Sequence, residues 1–231
     1  DKMALKLYRA KYNITTTAIQ DIAMDAVIME RLTASPRIIN IYGYCSTSIA
    51  VEAVPIEVEE IIVPDDGALT YKELHGERTG VGEDGTGGKR EGLALEPKNG
   101  YRVDEKLTIA LEMAEGIADL HGFRDGVIVH DDIQLCQWMR REGDGKLLFG
   151  DFNRATVMQW NVQTEKYCKF NNGGGYGNYR SPEEFDLRDL DEKIDVFSFG
   201  NNIYGLLTGL WVFYENEDDG VIQDEIINGT L

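Results

Sequence analysis

Two short motifs near the middle of the chain carry the residues that could do chemistry. The first is Val129-His130-Asp131-Asp132-Ile133, and the second, shortly after it, is Gly150-Asp151-Phe152-Asn153. Each is flanked by apolar residues and places a carboxylate where a strand is expected to end. One such carboxylate could take a proton from a hydroxyl group, and the other could hold a divalent metal ion. Together they are the minimum polar equipment for phosphoryl transfer from a nucleotide.

The elements that must position these motifs are predicted from hydrophobic periodicity and turn residues. The first part of the chain is predicted to form a strand over 3–8, a helix over 16–32 and strands over 38–45 and 49–54. The second part is predicted to form an amphipathic helix over 104–121 capped by Asp104, strands over 127–129 and 146–149, a long polar loop over 154–180 and a buried helix over 191–210. A strand-rich part followed by a helical part predicts an α+β fold with two lobes.

Composition limits the partners and the compartment. The 231 residues carry a net charge of −18, which repels polyanions, so a nucleic-acid partner is not expected, whereas a basic protein partner is compatible with this charge. The three cysteines are scattered without a CxxC pair, which predicts a reducing, cytoplasmic location without a zinc site. The longest apolar stretch, around 203–213, is too short to span a bilayer. Membrane attachment through flanking sequence stays open.

Residues 56–100 differ in composition from the rest of the chain. They are rich in acidic residues and glycine, and their middle part, 76–92, is predicted to be a mobile loop. This part contains a GxGxxG string, Gly80-Val81-Gly82-Glu83-Asp84-Gly85. Its carboxylates would repel phosphate, and neither a strand before it nor a helix after it is predicted. We therefore interpret the string as a chance match rather than a phosphate-binding loop.

Five motifs, occurring in the expected order and at suitable separations, resemble those of eukaryotic protein kinase domains. The resemblance runs from Ala4 to about Trp211 and implies a two-lobed α+β fold, with a small strand-rich N-lobe that lacks its first strands and a larger helical C-lobe. The motifs are Met3-Ala4-Leu5-Lys6 (like Val-Ala-Ile-Lys), His130-Asp131-Asp132 (His-Arg-Asp), Asp151-Phe152-Asn153 (Asp-Phe-Gly), Tyr179-Arg180-Ser181-Pro182-Glu183 (Tyr-x-Ala-Pro-Glu) and Asp195-Val196-Phe197-Ser198-Phe199-Gly200 (Asp-Val-Trp-Ser-Phe-Gly).

The resemblance implies a division of the chain into three parts. Residues 1–54 are expected to form a partial N-lobe with the lysine strand, a helix, two further strands and the start of the hinge. Residues 55–103 comprise the hinge and the acidic, glycine-rich insertion, and residues 104–231 form an incomplete C-lobe. We expect truncation at both ends, because only five residues precede Lys6, where kinases have a glycine-rich loop, and because the late helix whose arginine would pair with Glu183 is not reached.

The resemblance also implies a nucleotide site. Lys6 would hold the α- and β-phosphates, and a helix carboxylate would orient it. The helical register selects Asp25 where kinases have Glu, so either the ion pair is longer or the helix lies closer; Glu30, on a different face, is the alternative partner. The other positions implied to bind the nucleotide are Ala4 and Met139 around the adenine, Val51 at the back of the pocket, and the hinge backbone at Glu52, Ala53 and Val54.

The implied catalytic residues are Asp132, Lys6 and Gln137. Asp132 would accept the proton of the substrate hydroxyl, and Asp151 would ligate Mg²⁺. Gln137 stands where kinases have an asparagine as second metal ligand, so the amide is kept on a longer arm. Gln134 stands where many kinases have a lysine that stabilises the transferring phosphoryl group, and that charge is missing here.

Two further replacements affect the loop that follows the metal-binding motif. Asp131 stands where many kinases have an arginine that docks a phosphorylated activation loop, and a carboxylate would repel phosphate. We therefore expect that activity is not switched on through that pocket. Asn153 replaces a glycine, a mild change because asparagine tolerates left-handed backbone geometry.

Two functions follow from the resemblance. The first is ATP- and Mg²⁺-dependent phosphoryl transfer to Ser/Thr hydroxyls of proteins, favoured by the retention of Lys6, Asp132 and Asp151. The alternative is a catalytically impaired pseudokinase that acts as a nucleotide-binding or scaffold module, favoured by the changed residues around those three. A third, minor interpretation is a small-molecule phosphotransferase, against which the motif ending in Glu183 argues.

Overall fold

A computed structural model describes residues 2–8, 14–62, 99–173, 175, 177–214 and 218–229 of the chain. The GxGxxG string and the predicted mobile loop over 76–92 lie outside the described residues. The described part of the predicted insertion includes a short strand and a short helix, which are given below.

An antiparallel sheet and one helix form the N-terminal lobe. Strand β1 (Met3–Leu7) is followed by helix α1 (Thr16–Arg31) and strands β2 (Ile41–Cys45) and β3 (Ser48–Glu52), and the sheet order is β1-β3-β2. Helix α1 begins where the Thr15 hydroxyl accepts a hydrogen bond from the Ala18 amide at 3.1 Å. It packs its buried face against the sheet, which brings the middle of α1 towards β1.

The second lobe is built around a buried tryptophan. After β4 (Ile56–Glu57) and α2 (Val58–Ile62), it continues with α3 (Val103–His121), β5 (Val127–Val129), a 3₁₀ turn (Leu135–Gln137), β6 (Trp138–Arg140) and β7 (Leu147–Phe149). Trp138 stacks on Phe149 with ring centroids 3.9 Å apart. Gly116 of α3 lets the helix approach the indole, because a Cβ there would lie 2.9 Å from Trp138 Cζ3.

Two sequence predictions about the helices need correction. Helix α3 begins one residue before Asp104, and its first turn is closed by Glu105, whose carboxylate accepts from the Arg102 amide at 2.8 Å. Asp104 instead forms an exposed ion pair with the Arg102 side chain. The predicted buried helix over 191–210 is α5 in our numbering (Lys193–Thr208), and it is buried on one face only: Val196 is 56% exposed.

The predicted polar loop over 154–180 contains strands. Thr156–Met158 forms β8, which pairs antiparallel with β5, and Trp160–Asn161 (β9) pairs with Lys166–Tyr167 (β10). The alternating Thr-Val-Met run is typical of a short strand that buries one side, and Met158 is buried accordingly. The start of this loop is thereby attached to the core.

Short and long helices complete the described C-terminal lobe. Helix α4 (Pro182–Phe185) precedes α5, and α6 (Asp219–Asn228) follows it. Of the helices in the described part of the chain, none combines the length and apolar character needed to cross a membrane.

The predicted strand-rich and helical parts correspond to two lobes, and the two chemistry-bearing motifs lie after β5 and β7.

Candidate active site

Lys6 of β1 lies between two carboxylates. Its Nζ is 2.6 Å from Asp25 Oδ2 on α1 and also contacts Asp151 Oδ1, which follows β7. The second oxygen of Asp25 accepts a hydrogen bond from the Phe152 amide at 2.9 Å. Of the two geometries considered for the shorter Asp25 side chain, the structure therefore has the helix closer rather than the ion pair longer. Glu30 is exposed.

The charges in this cluster perturb one another. Partial burial opposes the charged form of Lys6, but the Asp151 and Asp25 carboxylates outweigh it and raise the pKa of Lys6 above its ordinary value. Burial raises the pKa of Asp25, although Lys6 and the Phe152 amide favour its ionised form. Lys6 therefore stays charged at neutral pH, and its side chain, 44% exposed, can reach an anionic ligand.

Strained backbone turns Asp131 and Asp151 out of their strands. Both have positive φ, 60° and 63° respectively, a conformation that is uncommon outside glycine and in which asparagine and aspartate are enriched. Between the motifs, His130 is fully buried, and its Nε2 lies 3.1 Å from the Gly150 carbonyl oxygen. His130 also stacks on Phe149 with ring centroids 4.5 Å apart, so it is a packed core residue.

The carboxylate of Asp132 accepts several hydrogen bonds. Its Oδ1 accepts from Gln134 Nε2 at 3.1 Å, from the Tyr179 hydroxyl at 2.8 Å and from Arg180 Nη2 at 2.7 Å. Its Oδ2 accepts a longer bond, 3.3 Å, from Gln137 Nε2. Burial and the neighbouring carboxylate of Asp132 raise the pKa of Tyr179, which keeps its hydroxyl protonated as a donor.

Gln137 connects the two motifs. Its Nε2 binds Asp132, which leaves its Oε1 for another partner, and its backbone carbonyl accepts from the Gly150 amide at 3.2 Å. An amide oxygen and the Asp151 carboxylate are hard donors of the kind Mg²⁺ uses together with phosphate oxygens. Among the described residues, no group of three or more His, Cys, Asp or Glu could hold a metal ion by itself. The Asp151 carboxylate and the Gln137 amide oxygen fit Mg²⁺ as donors alongside phosphate oxygens.

The residues implied to surround an adenine are distributed over both lobes. Ala4 of β1 lies opposite Val51 of β3, and Met139 of β6 lies opposite Glu57 of β4. Ala4 is exposed and Met139 is half-buried. The structure thus places these apolar side chains on the strands that flank the hinge.

The side chain of Glu52 is bonded to other residues rather than directed at an adenine position. Its carboxylate accepts from Arg141 Nε at 2.6 Å and from Asn40 Nδ2 at 2.8 Å. The Glu52 amide donates to the Asn40 carbonyl at 2.8 Å and the Ala53 amide donates to the Lys2 carbonyl at 3.1 Å, so both of these hinge amides already have partners.

Asp195 of α5 holds the backbone of the first motif. Its carboxylate accepts from the amides of His130 at 2.8 Å and Asp131 at 3.0 Å, and it lies 2.9 Å from His121 Nε2. These contacts fix the strained turn that precedes Asp132.

Asp131 lies in a pocket that sequence reasoning missed. It is buried, and its Oδ2 accepts from Asn172 Nδ2 at 2.8 Å and from Arg154 Nη2 at 3.1 Å. Burial raises its pKa, against the attraction of these donors and of Arg180. The carboxylate that replaces the arginine therefore binds cations and amides of the following loop directly. Arg180 and Glu184, four residues apart, form a second buried pair at 2.6 Å; the i, i+4 spacing was the available signal.

A two-lobed α+β fold that combines a strand lysine, a helix carboxylate and two aspartates after short strands defines a kinase-like domain. The protein kinase domain family matches residues 1–230. The chain belongs to this family, which confirms the fold class and the resemblance. Kinase domains in general use ATP and Mg²⁺ and act on proteins.

Individual relatives are also kinases by name. The serine/threonine-protein kinase VIK of Arabidopsis thaliana is 30% identical over 124 residues, which cover 53% of this chain and 28% of that protein. Mitogen-activated protein kinase kinase kinase 7 of Bos taurus is 23% identical over 208 residues, 87% of this chain and 30% of that protein. The dual specificity protein kinase shkE of Dictyostelium discoideum is 30% identical over 129 residues, 55% of this chain and 17% of that protein. The chain thus spans less than a third of these relatives.

Proposed function

We propose that this domain catalyses ATP- and Mg²⁺-dependent phosphoryl transfer to Ser/Thr hydroxyls of proteins. The observation that carries the proposal is the contact of Lys6 with both Asp25 and Asp151, with Asp132 joined to the Asp151 motif through Gln137. These contacts bring the lysine that would bind phosphate and the carboxylate that would bind the metal into one cluster.

Each residue has a distinct role in this proposal. Lys6 would hold the α- and β-phosphates, because its ammonium is charged and accessible. Asp151 and the free amide oxygen of Gln137 would hold Mg²⁺, which neutralises charge on the phosphates when bound. Asp132 would orient the substrate hydroxyl and accept its proton. Asp25 positions Lys6 and, through the Phe152 amide, the backbone beside Asp151.

The choice of Ser/Thr proteins rests on the relatives. VIK carries serine/threonine specificity in its name. The net charge of −18 further favours substrates or partners with basic surfaces. The shkE protein, named dual specificity, makes tyrosine the second residue type to test.

The alternative, a pseudokinase that acts as a nucleotide-binding or scaffold module, is favoured by one observation. Gln134 stands where many kinases have a lysine that stabilises the transferring phosphoryl group, and it brings only a neutral amide, which donates to Asp132 Oδ1 at 3.1 Å. Loss of one electrostatic contact of this type costs about 10²–10³ in rate.

A transfer assay separates the two. The full chain is incubated with γ-labelled ATP, Mg²⁺ and peptide libraries containing Ser/Thr or Tyr, and a parallel sample contains EDTA. We expect label on the Ser/Thr library only, and only with Mg²⁺. ATP binding without transfer would overturn the enzymatic proposal in favour of the pseudokinase, and label on tyrosine alone would overturn the proposed residue type.

A further inference from the structure

Arg180 approaches Asp132 from outside the catalytic motif. The proposed function leaves the carboxylate of Asp132 without a cation from its own loop, since Gln134 contributes only a neutral amide. Arg180, just before the Ser181-Pro182 segment that opens α4, places Nη2 2.7 Å from Asp132 Oδ1. The two side chains, Gln134 and Arg180, therefore bind the same oxygen, one neutral and one charged.

The guanidinium of Arg180 is held firmly. Its Nη1 donates to Glu184 Oε1 at 2.6 Å and to the Asp131 carbonyl at 3.0 Å, and its side chain is only 4% exposed. Glu184 is in turn fixed by the amide and hydroxyl of Ser181, at 2.7 and 2.9 Å. A buried guanidinium with several hydrogen bonds is preorganised, so little side-chain conformational entropy is lost when it binds a neighbouring carboxylate.

We propose that Arg180 is a positioning residue whose guanidinium holds Asp132 through Oδ1, the oxygen to which Gln134 donates only from a neutral amide. This inference rests on the proposed kinase function. It also assigns the two oxygens of Asp132: Oδ1 is occupied by Arg180, Tyr179 and Gln134, whereas Oδ2 has one 3.3 Å bond from Gln137. Oδ2 is thus the oxygen that accepts the proton as the substrate oxygen bonds to the γ-phosphorus and the bond to the β-phosphate oxygen breaks.

The test removes the positive charge of Arg180 and then adds a positive charge at position 134, whose side chain binds the same oxygen of Asp132. Removing Arg180 alone would leave Glu184 as an unpaired buried charge, so the primary variant is Arg180→Gln/Glu184→Gln, in which two neutral amides replace the ion pair. The matched control is Glu184→Gln, which keeps Arg180. Gln134→Lys is then added to the double variant, because the amide at that position already reaches Oδ1.

We expect kcat to fall by about 10²–10³ in the double variant, with the KM for ATP unchanged, because the charge acts at Asp132 and not at the nucleotide. The control should keep most of its kcat, and Gln134→Lys should restore most of the loss. Gln134→Lys is also made in the wild type, and restoration beyond the gain it gives there is the readout that a purely structural role of Arg180 would not produce.

The outcomes separate this inference from the function on which it rests. No transfer by the wild type overturns both. A wild type that transfers phosphate beside a double variant with unchanged or higher kcat overturns only the inference, and a higher kcat would mean that Arg180 blocks Asp132. Failure of Gln134→Lys to restore a folded variant also overturns it.

Should the double variant not fold, Arg180→Lys serves in its place. A single ammonium can keep Glu184 or reach Asp132, but not both. In a folded Arg180→Lys protein with a reduced kcat, restoration by Gln134→Lys supports the inference, and a kcat that Gln134→Lys leaves unchanged overturns it.

Discussion

Replacing Asp25 by glutamate, the residue that kinases resembling this chain have there, is expected to impair this protein. Asp25 is 1% exposed, and both of its oxygens are used, one by Lys6 at 2.6 Å and one by the Phe152 amide at 2.9 Å. An added methylene in a packed site costs about 1–3 kcal/mol. Loss of a hydrogen bond to a charged group costs about 1.5–3 kcal/mol. We therefore expect Asp25→Glu to lower the free energy of unfolding by about 2.5–6 kcal/mol.

The assay is urea unfolding followed by circular dichroism, with phosphoryl transfer measured on the same samples. Asp21→Glu is the matched control, since it makes the same change one turn earlier on α1, where the side chain is exposed, and it should stay within about 0.5 kcal/mol of the wild type. Transfer by Asp25→Glu should also fall, because the backbone of Phe152 loses its anchor. Equal stability of Asp25→Glu and Asp21→Glu would refute the close approach of α1 to β1.

Two further predictions concern buried carboxylates. Asn172→Asp places a second carboxylate against Asp131, where the Asn172 amide now donates at 2.8 Å, so amide hydrogen exchange of residues 154–180 should accelerate. The control is Asn161→Asp, which should leave exchange unchanged because only the side-chain oxygen of Asn161 accepts bonds. Equal effects of the two substitutions would contradict the pocket around Asp131. Burial raises the pKa of Asp25 in the folded state despite Lys6, so the contribution of Asp25 to the free energy of unfolding is present at acid pH and is lost as pH rises through that pKa. Urea midpoints from about pH 3 to 7 should therefore show the wild type losing stability relative to Asp25→Asn. A wild type that gains stability relative to Asp25→Asn over this range would contradict the raised pKa.

The fold was predictable because its signals are local. Hydrophobic periodicity predicted the ends of α1 and α3 to within a residue or two, because one face of each helix is buried and the other is exposed to solvent. The strands within 154–180 were missed because their runs are only two or three residues long and depend on pairing with distant partners such as β5. Register and pairing at this length are decided by tertiary contacts.

The candidate site was predictable where one residue type does one job. Lys6, Asp25 and Asp151 were proposed together from the motifs, and the structure brings them into contact. The contacts of Arg154 and Arg180 with Asp131 could not be foreseen, because Asp131 stands where kinases have an arginine. When the charge at a position is reversed, only the three-dimensional structure shows which distant side chains bind the new residue.

The most direct test of the proposed function compares the wild type with Asp132→Asn in one experiment. Both proteins are titrated with ATP and Mg²⁺ for binding and then assayed for transfer of the γ-phosphate to a Ser/Thr peptide library. We expect equal ATP affinity and a loss of transfer of about 10²–10⁴ in the variant, the range for removal of a general base. Transfer that survives the substitution undiminished would contradict the assignment of Asp132, and binding without transfer in the wild type would contradict the kinase activity itself.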